Sequence, residues 1–134
     1  GYNGALYIND AYNAAPTSMR AAIGFLKTST IRPRKWLVLG DMLELGDDEK
    51  KMHEGIAELI DSASFERVLL FGQRMGWMKE KLAEHFAVER IVYSESDYTP
   101  LIESIIAEAD AEVIVLFKGS RGMKLETIID GTMK

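Results

Sequence analysis

The sequence contains no cysteine, only 3 prolines and only 2 histidines among 134 residues. Without cysteine there can be no disulfide and no thiolate metal site, and a reducing compartment suits the chain. No apolar run approaches the roughly 20 residues that cross a bilayer. The N-terminus lacks the layered charge and hydropathy of a signal peptide. Basic excess is absent too: 16 Lys and Arg stand against 21 Asp and Glu, a net charge of −5. With no aromatic array either, the charge balance argues against broad nucleic-acid binding and leaves room for no more than a local basic spot. What remains is a composition of 47% apolar and 28% charged residues, that of an ordinary globular domain. The length is that of one domain and can bury roughly two-thirds of its unfolded surface.

Two kinds of segment alternate along the chain. Short apolar, often β-branched runs predict strands at 5–9 (ALYIN), 35–40 (KWLVLG), 67–72 (RVLLFG), 90–93 (RIVY) and 112–119 (EVIVLFKG). Three of them are continuously apolar, as strands covered on both faces are. Between and after them, apolar residues recur at helical spacing. The five stripes are Met19, Ala22, Ile23 and Leu26; Met52, Ile56, Leu59 and Ile60; Met75, Met78 and Leu82; Leu101, Ile102, Ile105 and Ile106; and Leu125, Ile128 and Ile129. Thr99 is the expected N-cap of the fourth helix, with Pro100 at its first position. Repeated strand–helix alternation predicts an α/β, Rossmann-like open, mostly parallel sheet with helices on both faces. The stretches 28–34 and 94–98 are short loops, and residues 1–134 form a single domain without linker or repeat.

Ligands of such sheets bind at the carboxyl ends of the strands. Four strand ends carry polar clusters: NDAYN, GDMLELG, GQRMG and KGSRGMK. SESDYT, after the fourth strand, reads as plain loop and capping. In KGSRGMK, Lys118 and Arg121 fall where a strand is expected to give way to a helix. Cations there are unfavourable beside the helix dipole unless an anion arrives, so the pair predicts an anion site. The alternative is that both side chains reach water or pair with Glu44 or Glu126. The spacing is not that of a Walker A loop, and no such loop occurs elsewhere in the chain. Asp41, at the tip of a buried strand, can hold a cation, accept from an ammonium group or cap a turn. Asp47, Asp48 and Glu49 read as helix-start acids with no further role. Asp10 can receive a ribose hydroxyl, bind Mg²⁺ through water or cap the helix that starts at Pro16. Asn13 can brace its turn or touch a ligand, and Tyr12 can stack on a ring or cover the core. His53 beside an apolar stripe reads as a packing residue, since no second His stands near enough for a metal. His85 reads as a cation after a helix, and Trp36 and Trp77 as core or rim.

Four stretches occur in an order known from one family: NDAYNAAPTSMRAAI, VLGDMLELG, HEGIAELI and FKGSRGMKLE. From about residue 6 to residue 130 the chain resembles the C-terminal domain of the Mur ligases, and within them the branch that acts on D-alanyl-D-alanine. The resemblance implies one domain of a longer, bacterial, cytoplasmic enzyme of peptidoglycan biosynthesis. That enzyme uses ATP and Mg²⁺, held mainly by a central domain that carries the P-loop. It joins D-alanyl-D-alanine to UDP-N-acetylmuramoyl-tripeptide through an acyl phosphate. Its N-terminal domain holds the UDP-linked precursor, and its C-terminal domain swings in to close the site.

By the same resemblance, Asp10 and Tyr12 belong on the nucleotide side, with Asn13 in the adjoining wall of the cleft. Asp41, Lys118, Ser120 and Arg121 would face the dipeptide and the reaction centre. Ala15 stands where the family usually has Asn, which weakens any binding role for that position. A chain of 134 residues without a P-loop is expected to be inactive alone. The rival readings are a free-standing flavodoxin-like module, with Asp10 and Asp41 holding Mg²⁺ for signalling, and a pure interaction domain.

Overall fold

In a computed structural model, which describes residues 1–133, every expected strand and helix forms. The strands are β1 (Leu6–Asp10), β2 (Arg34–Gly40), β3 (Arg67–Phe71), β4 (Ile91–Ser94) and β5 (Val113–Lys118). The helices are α1 (Pro16–Thr28), α2 (Glu49–Ala57), α3 (Met75–Leu82), α4 (Thr99–Glu108) and α5 (Glu126–Thr132). The strand order is β1-β5-β2-β3-β4, and every pairing among the described residues is parallel.

The strand alternation divides the core in two. Leu37, Leu39, Val68, Leu70, Ile114 and Leu116 face the layer formed by α1, α2 and α3. Trp36, Val38, Leu69, Val115 and Phe117 face α4 and α5. Successive side chains of a strand point to opposite faces, so a strand covered on both sides must be apolar throughout. That is why β5 is buried at every position. Each fully buried aliphatic or aromatic side chain contributes about 1.5–3 kcal/mol.

Several local expectations are corrected. Thr99 is the first residue of α4, not its cap, and the side chain of Asp97 accepts its N–H at 2.9 Å. The second apolar stripe outlives its helix: α2 ends at Ala57, and Leu59 and Ile60 lie in the following turns. Ile106 is 42% exposed and falls off the buried face. The last helix does not follow β5 directly. A single 3₁₀ turn, Arg121–Met123, intervenes, and Lys124 ends it in the left-handed region at φ 50°. The dipole of α5 therefore does not act on Lys118 or Arg121, because it falls off within a turn.

At the amino end of the sheet, the Glu66 carboxylate gathers donors from several directions. Arg34 Nε and Nη2 donate to it at 2.8–3.0 Å, and the buried Trp36 Nε1 donates at 2.9 Å. Arg34 also donates to Asp110 at 2.8 Å, which ties the start of β2 to the turn before β5. Donation from Arg34 holds the Glu66 carboxyl below its usual range, against the opposing effect of burial. A depressed carboxyl stabilises the fold above its ordinary range, and that contribution is lost as pH falls through the depressed value. Glu66→Gln should cost about 1–2 kcal/mol at neutral pH, the scale of a charge-assisted bond discounted for partial exposure. It should also flatten the acid limb of stability. Urea midpoints between about pH 7 and about pH 3 check this; a variant as acid-sensitive as the parent chain would refute it.

Candidate functional site

The strand order creates the site. β5 lies between β1 and β2, and the chain leaves β1 and β2 toward one face but leaves β5 toward the other. Diverging connections open a crevice at the carboxyl ends of neighbouring strands. A cleft of about 580 Å³ opens there, walled by residues 12–15 after β1, 43–45 after β2 and 120–122 after β5.

The first wall rests on Lys118. Asp10 and Lys118 are register partners on adjacent strands, and both side chains fall on the α1 side. Lys118 is 2% exposed. Its Nζ donates to Asp10 Oδ2 at 2.6 Å and to the Asn13 carbonyl at 2.9 Å. A buried ammonium is costly unless it is paired and hydrogen-bonded, so Lys118 fixes the turn that carries Tyr12 and Asn13. Asp10 is thus an ion-pair partner and not a helix cap; α1 begins after Ala15 with no side-chain cap. Asp10 Oδ1 keeps no hydrogen-bond partner among the described residues. Tyr12 is 60% exposed, so its ring does not cover the core.

The second wall rests on Asp41, which is itself 2% exposed. Asp41 Oδ1 accepts the Met75 N–H at 2.9 Å, and Oδ2 accepts the Arg74 N–H at 3.1 Å. The carboxylate therefore caps α3 across the sheet, satisfying donors that a helix start leaves without partners. Gly72 makes room for it. At φ 121°, a Cβ on Gly72 would stand 2.3 Å from Asp41 Oδ1. Arg74 donates to Glu49 at short range and more weakly to Asp41, at 3.4 Å. Donation to the Glu49 carboxylate raises the Arg74 guanidinium above its usual range. Glu49 is thus an ion-pair partner as well as a helix-start acid.

The third wall is stitched to the second. Ser120 N donates to the Asp41 carbonyl at 3.0 Å, and Ser120 Oγ accepts the Leu43 N–H at 2.8 Å. Gly119 packs so closely that a Cβ there would lie 2.9 Å from the Gly40 Cα. Tyr98 also holds this wall: its ring stacks on Phe71 at 4.2 Å and its hydroxyl donates to the Met123 carbonyl at 2.7 Å. The loop that reads as plain capping in the sequence thus supports the site.

Of the residues singled out from the sequence, Tyr12, Asn13, Ser120 and Arg121 line the cleft. Asp10 and Lys118 lie beneath its first wall, and neither Asp41 nor Lys118 lines it. The two cations part company. Lys118 is enclosed, while Arg121 is exposed, with no side-chain partner among the described residues; neither Glu44 nor Glu126 takes it. No group of three or more His, Asp or Glu that could hold a metal converges among the described residues. Asp10 and Asp41 are each engaged elsewhere, so the reading of a two-acid Mg²⁺ module does not fit these side chains. His53 is buried, as expected of a packing residue, with its ring edge against Trp77.

An open parallel sheet with three stitched loops at its switch point defines a Rossmann-like ligand-binding domain. A family model described as "Mur ligase, glutamate ligase domain" matches residues 1–121, and the chain belongs to this family of Mur ligase C-terminal domains. It is 41% identical over 130 residues to the UDP-N-acetylmuramoyl-tripeptide–D-alanyl-D-alanine ligase of Bacillus subtilis, covering 95% of this chain and 28% of that protein. The Escherichia coli ligase of the same name is 33% identical over 128 residues, covering 92% and 26%. A crystal structure of MurF from Acinetobacter baumannii superposes with a TM-score of 0.74 at 30% identity, covering 97% of this chain and 29% of that one. The fold is also that of MurF from Thermotoga maritima, crystallised with ADP, at a TM-score of 0.79, 24% identity and coverage of 98% and 29%. The chain thus spans under a third of the length of these relatives. No helix among the described residues is long and apolar enough to cross a membrane.

The Asp10–Lys118 pair yields a stability prediction. Asp10→Ala leaves a buried ammonium with one carbonyl and should cost about 1.5–3 kcal/mol. Adding Lys118→Met should recover much of that loss, because replacing both partners with apolar groups is close to neutral. Urea denaturation of the single and double variants checks it. A double variant less stable than Asp10→Ala would show that the uncompensated charge is not the source of the loss.

Proposed function

We propose that the chain is the closing domain of an ATP-dependent ligase that joins D-alanyl-D-alanine to UDP-N-acetylmuramoyl-tripeptide in peptidoglycan biosynthesis, in the bacterial cytoplasm. Its partners are the N-terminal and central domains of the same enzyme. In the reaction, the γ-phosphoryl group of ATP passes to the tripeptide's terminal carboxylate, giving an acyl phosphate and ADP. The dipeptide's amine then attacks that carbonyl carbon, phosphate leaves with the bonding pair, and the nitrogen loses a proton. The chemistry of Mg²⁺ belongs with the ATP phosphates. Among the described residues the acids form no cluster for it, and the resemblance to the family assigns its ligands to the central domain.

The observation that carries this reading is the exposed Arg121 guanidinium at the mouth of the cleft, while Lys118, beneath its first wall, is already paired with Asp10. A planar guanidinium binds a carboxylate through two parallel bonds, which suits the dipeptide's C-terminal end. Asp10 Oδ1 can accept a ribose hydroxyl, and the Tyr12 ring can lie against the nucleotide. Asn13 and the Ser120 turn complete the walls. Asp41 and Lys118, expected from the resemblance to face the dipeptide, serve by positioning the walls.

The test is phosphate release by the full-length parent protein with ATP, Mg²⁺ and the UDP-linked tripeptide, with and without D-alanyl-D-alanine. Release should depend on the dipeptide and yield the pentapeptide. Arg121→Ala should lower kcat/KM for the dipeptide by about ten- to a hundredfold, with Arg121→Lys between the two. The isolated chain, which has no P-loop, should release none. A folded parent that releases phosphate without regard to the dipeptide would overturn the reading and favour a binding module.

A further inference from the structure

His53 is fully buried on α2, yet both of its ring nitrogens are engaged. Nδ1 lies 2.7 Å from the Glu49 carbonyl, which can only accept, so Nδ1 carries the proton. Nε2 lies 3.0 Å from the Met42 N–H, which can only donate, so Nε2 accepts. The geometry fixes one neutral tautomer. Met42 immediately precedes Leu43, Glu44 and Leu45, the second wall of the cleft. From beneath, that wall is held at Met42 by His53; from above, it is held at Leu43 by Ser120.

We infer that His53 is a positioning residue, whose neutral ring holds the Leu43–Leu45 wall in its binding geometry and releases it on protonation. The inference rests on the reading of the cleft as a dipeptide site. A protonated ring would set an Nε2–H against the Met42 N–H, two donors facing each other, and the bond would be lost. The charged groups facing the ring are Glu49 on its own helix, Asp41 at the end of β2 and Arg74 at the start of α3. Asp41 and Glu49 favour the protonated ring, while Arg74 opposes it. Burial opposes it most strongly and lowers the imidazole below its ordinary range. The neutral state therefore prevails at neutral pH, and the wall loosens only as pH falls through the lowered value. A wall that is ordered for only part of the time weakens apparent binding by that fraction.

Two variants separate positioning from bulk packing. His53→Gln places an amide oxygen near the Nε2 position and cannot titrate. His53→Leu fills the space and leaves the Met42 N–H without an acceptor. In the full-length parent, the KM for D-alanyl-D-alanine should rise severalfold only as pH falls below the ordinary His range and through the lowered His53 value. With His53→Gln it should stay near the parent's neutral value and lose the pH-dependent rise. With His53→Leu it should rise about tenfold at every pH, the cost of one buried unpaired donor, with kcat little changed. In this chain, the NMR shift of the Met42 amide should titrate with the His53 imidazole at one shared midpoint and stay flat in His53→Gln. A Met42 amide that ignores the His53 titration, or a His53→Gln variant indistinguishable from His53→Leu, overturns the proposal. A parent with no dipeptide-dependent turnover at any pH defeats the reading of function instead, and the amide titration then decides the role of His53.

Discussion

The buried carboxylate of Asp41 is the constraint on which the site depends. Its two oxygens accept backbone N–H groups from Arg74 and Met75, which fixes the start of α3 against the end of β2. Its own carbonyl accepts from Ser120, which fixes the loop after β5. One residue thus sets three elements at the carboxyl edge of the sheet. Burying a carboxylate is affordable only when such donors replace its water shell. The demand propagates to Gly72, which must lack a side chain for the carboxylate to fit. An acid that reads in the sequence equally as a binding residue or a cap is therefore the one that holds the others still.

The same division runs through the cations. Lys118 and Arg121 stand three residues apart in one motif, but strand geometry separates their tasks. Lys118 shares the parity of Ile114 and Leu116 and must point under the sheet's α1 face, where only an internal pair can stabilise it. Arg121 lies beyond the strand, in a 3₁₀ turn at the rim. Water screens it there until a ligand or another domain displaces the water. The internal charge sets geometry, and the rim charge is left for recognition.

Much of this was legible in the sequence, for identifiable reasons. Runs such as KWLVLG and EVIVLF admit few structures other than covered strands, and all five were found in place. The helices followed from apolar spacing, although α2 ended while its stripe continued, because turn residues can be buried as well as helical ones. The inward turn of Lys118 follows from strand parity, which runs on past the apolar residues of β5. Capping was one of the readings open for Asp41, but which helix it caps was not available, nor was the bracing role of His53. Asp41's acceptor role is completed by backbone N–H groups 33 and 34 residues later, and no residue type announces a backbone donor. His53 reads as a packed ring either way, since packing and bracing use the same burial. Tyr98, in a loop with no apolar pattern, carried no signal at all beyond its ring.

The cleft has three rigid walls and an open mouth, and its residues divide by distance from that mouth. Those with engaged polar groups, Asp41, His53, Lys118 and the Ser120 hydroxyl, lie in or below the walls. Tyr12 and Arg121 lie on the rim and are free. A site complete in itself would surround its ligand with satisfied polar groups and exclude water. Here the recognition groups sit where only a second surface could enclose them. The internal bonds fix the walls before that surface arrives, so closure need order few side chains, and preorganisation of this kind lowers the entropic cost of binding. The chain spans under a third of its relatives' length and keeps its exposed cation and ring together at one rim, the arrangement that a site completed by a second surface requires.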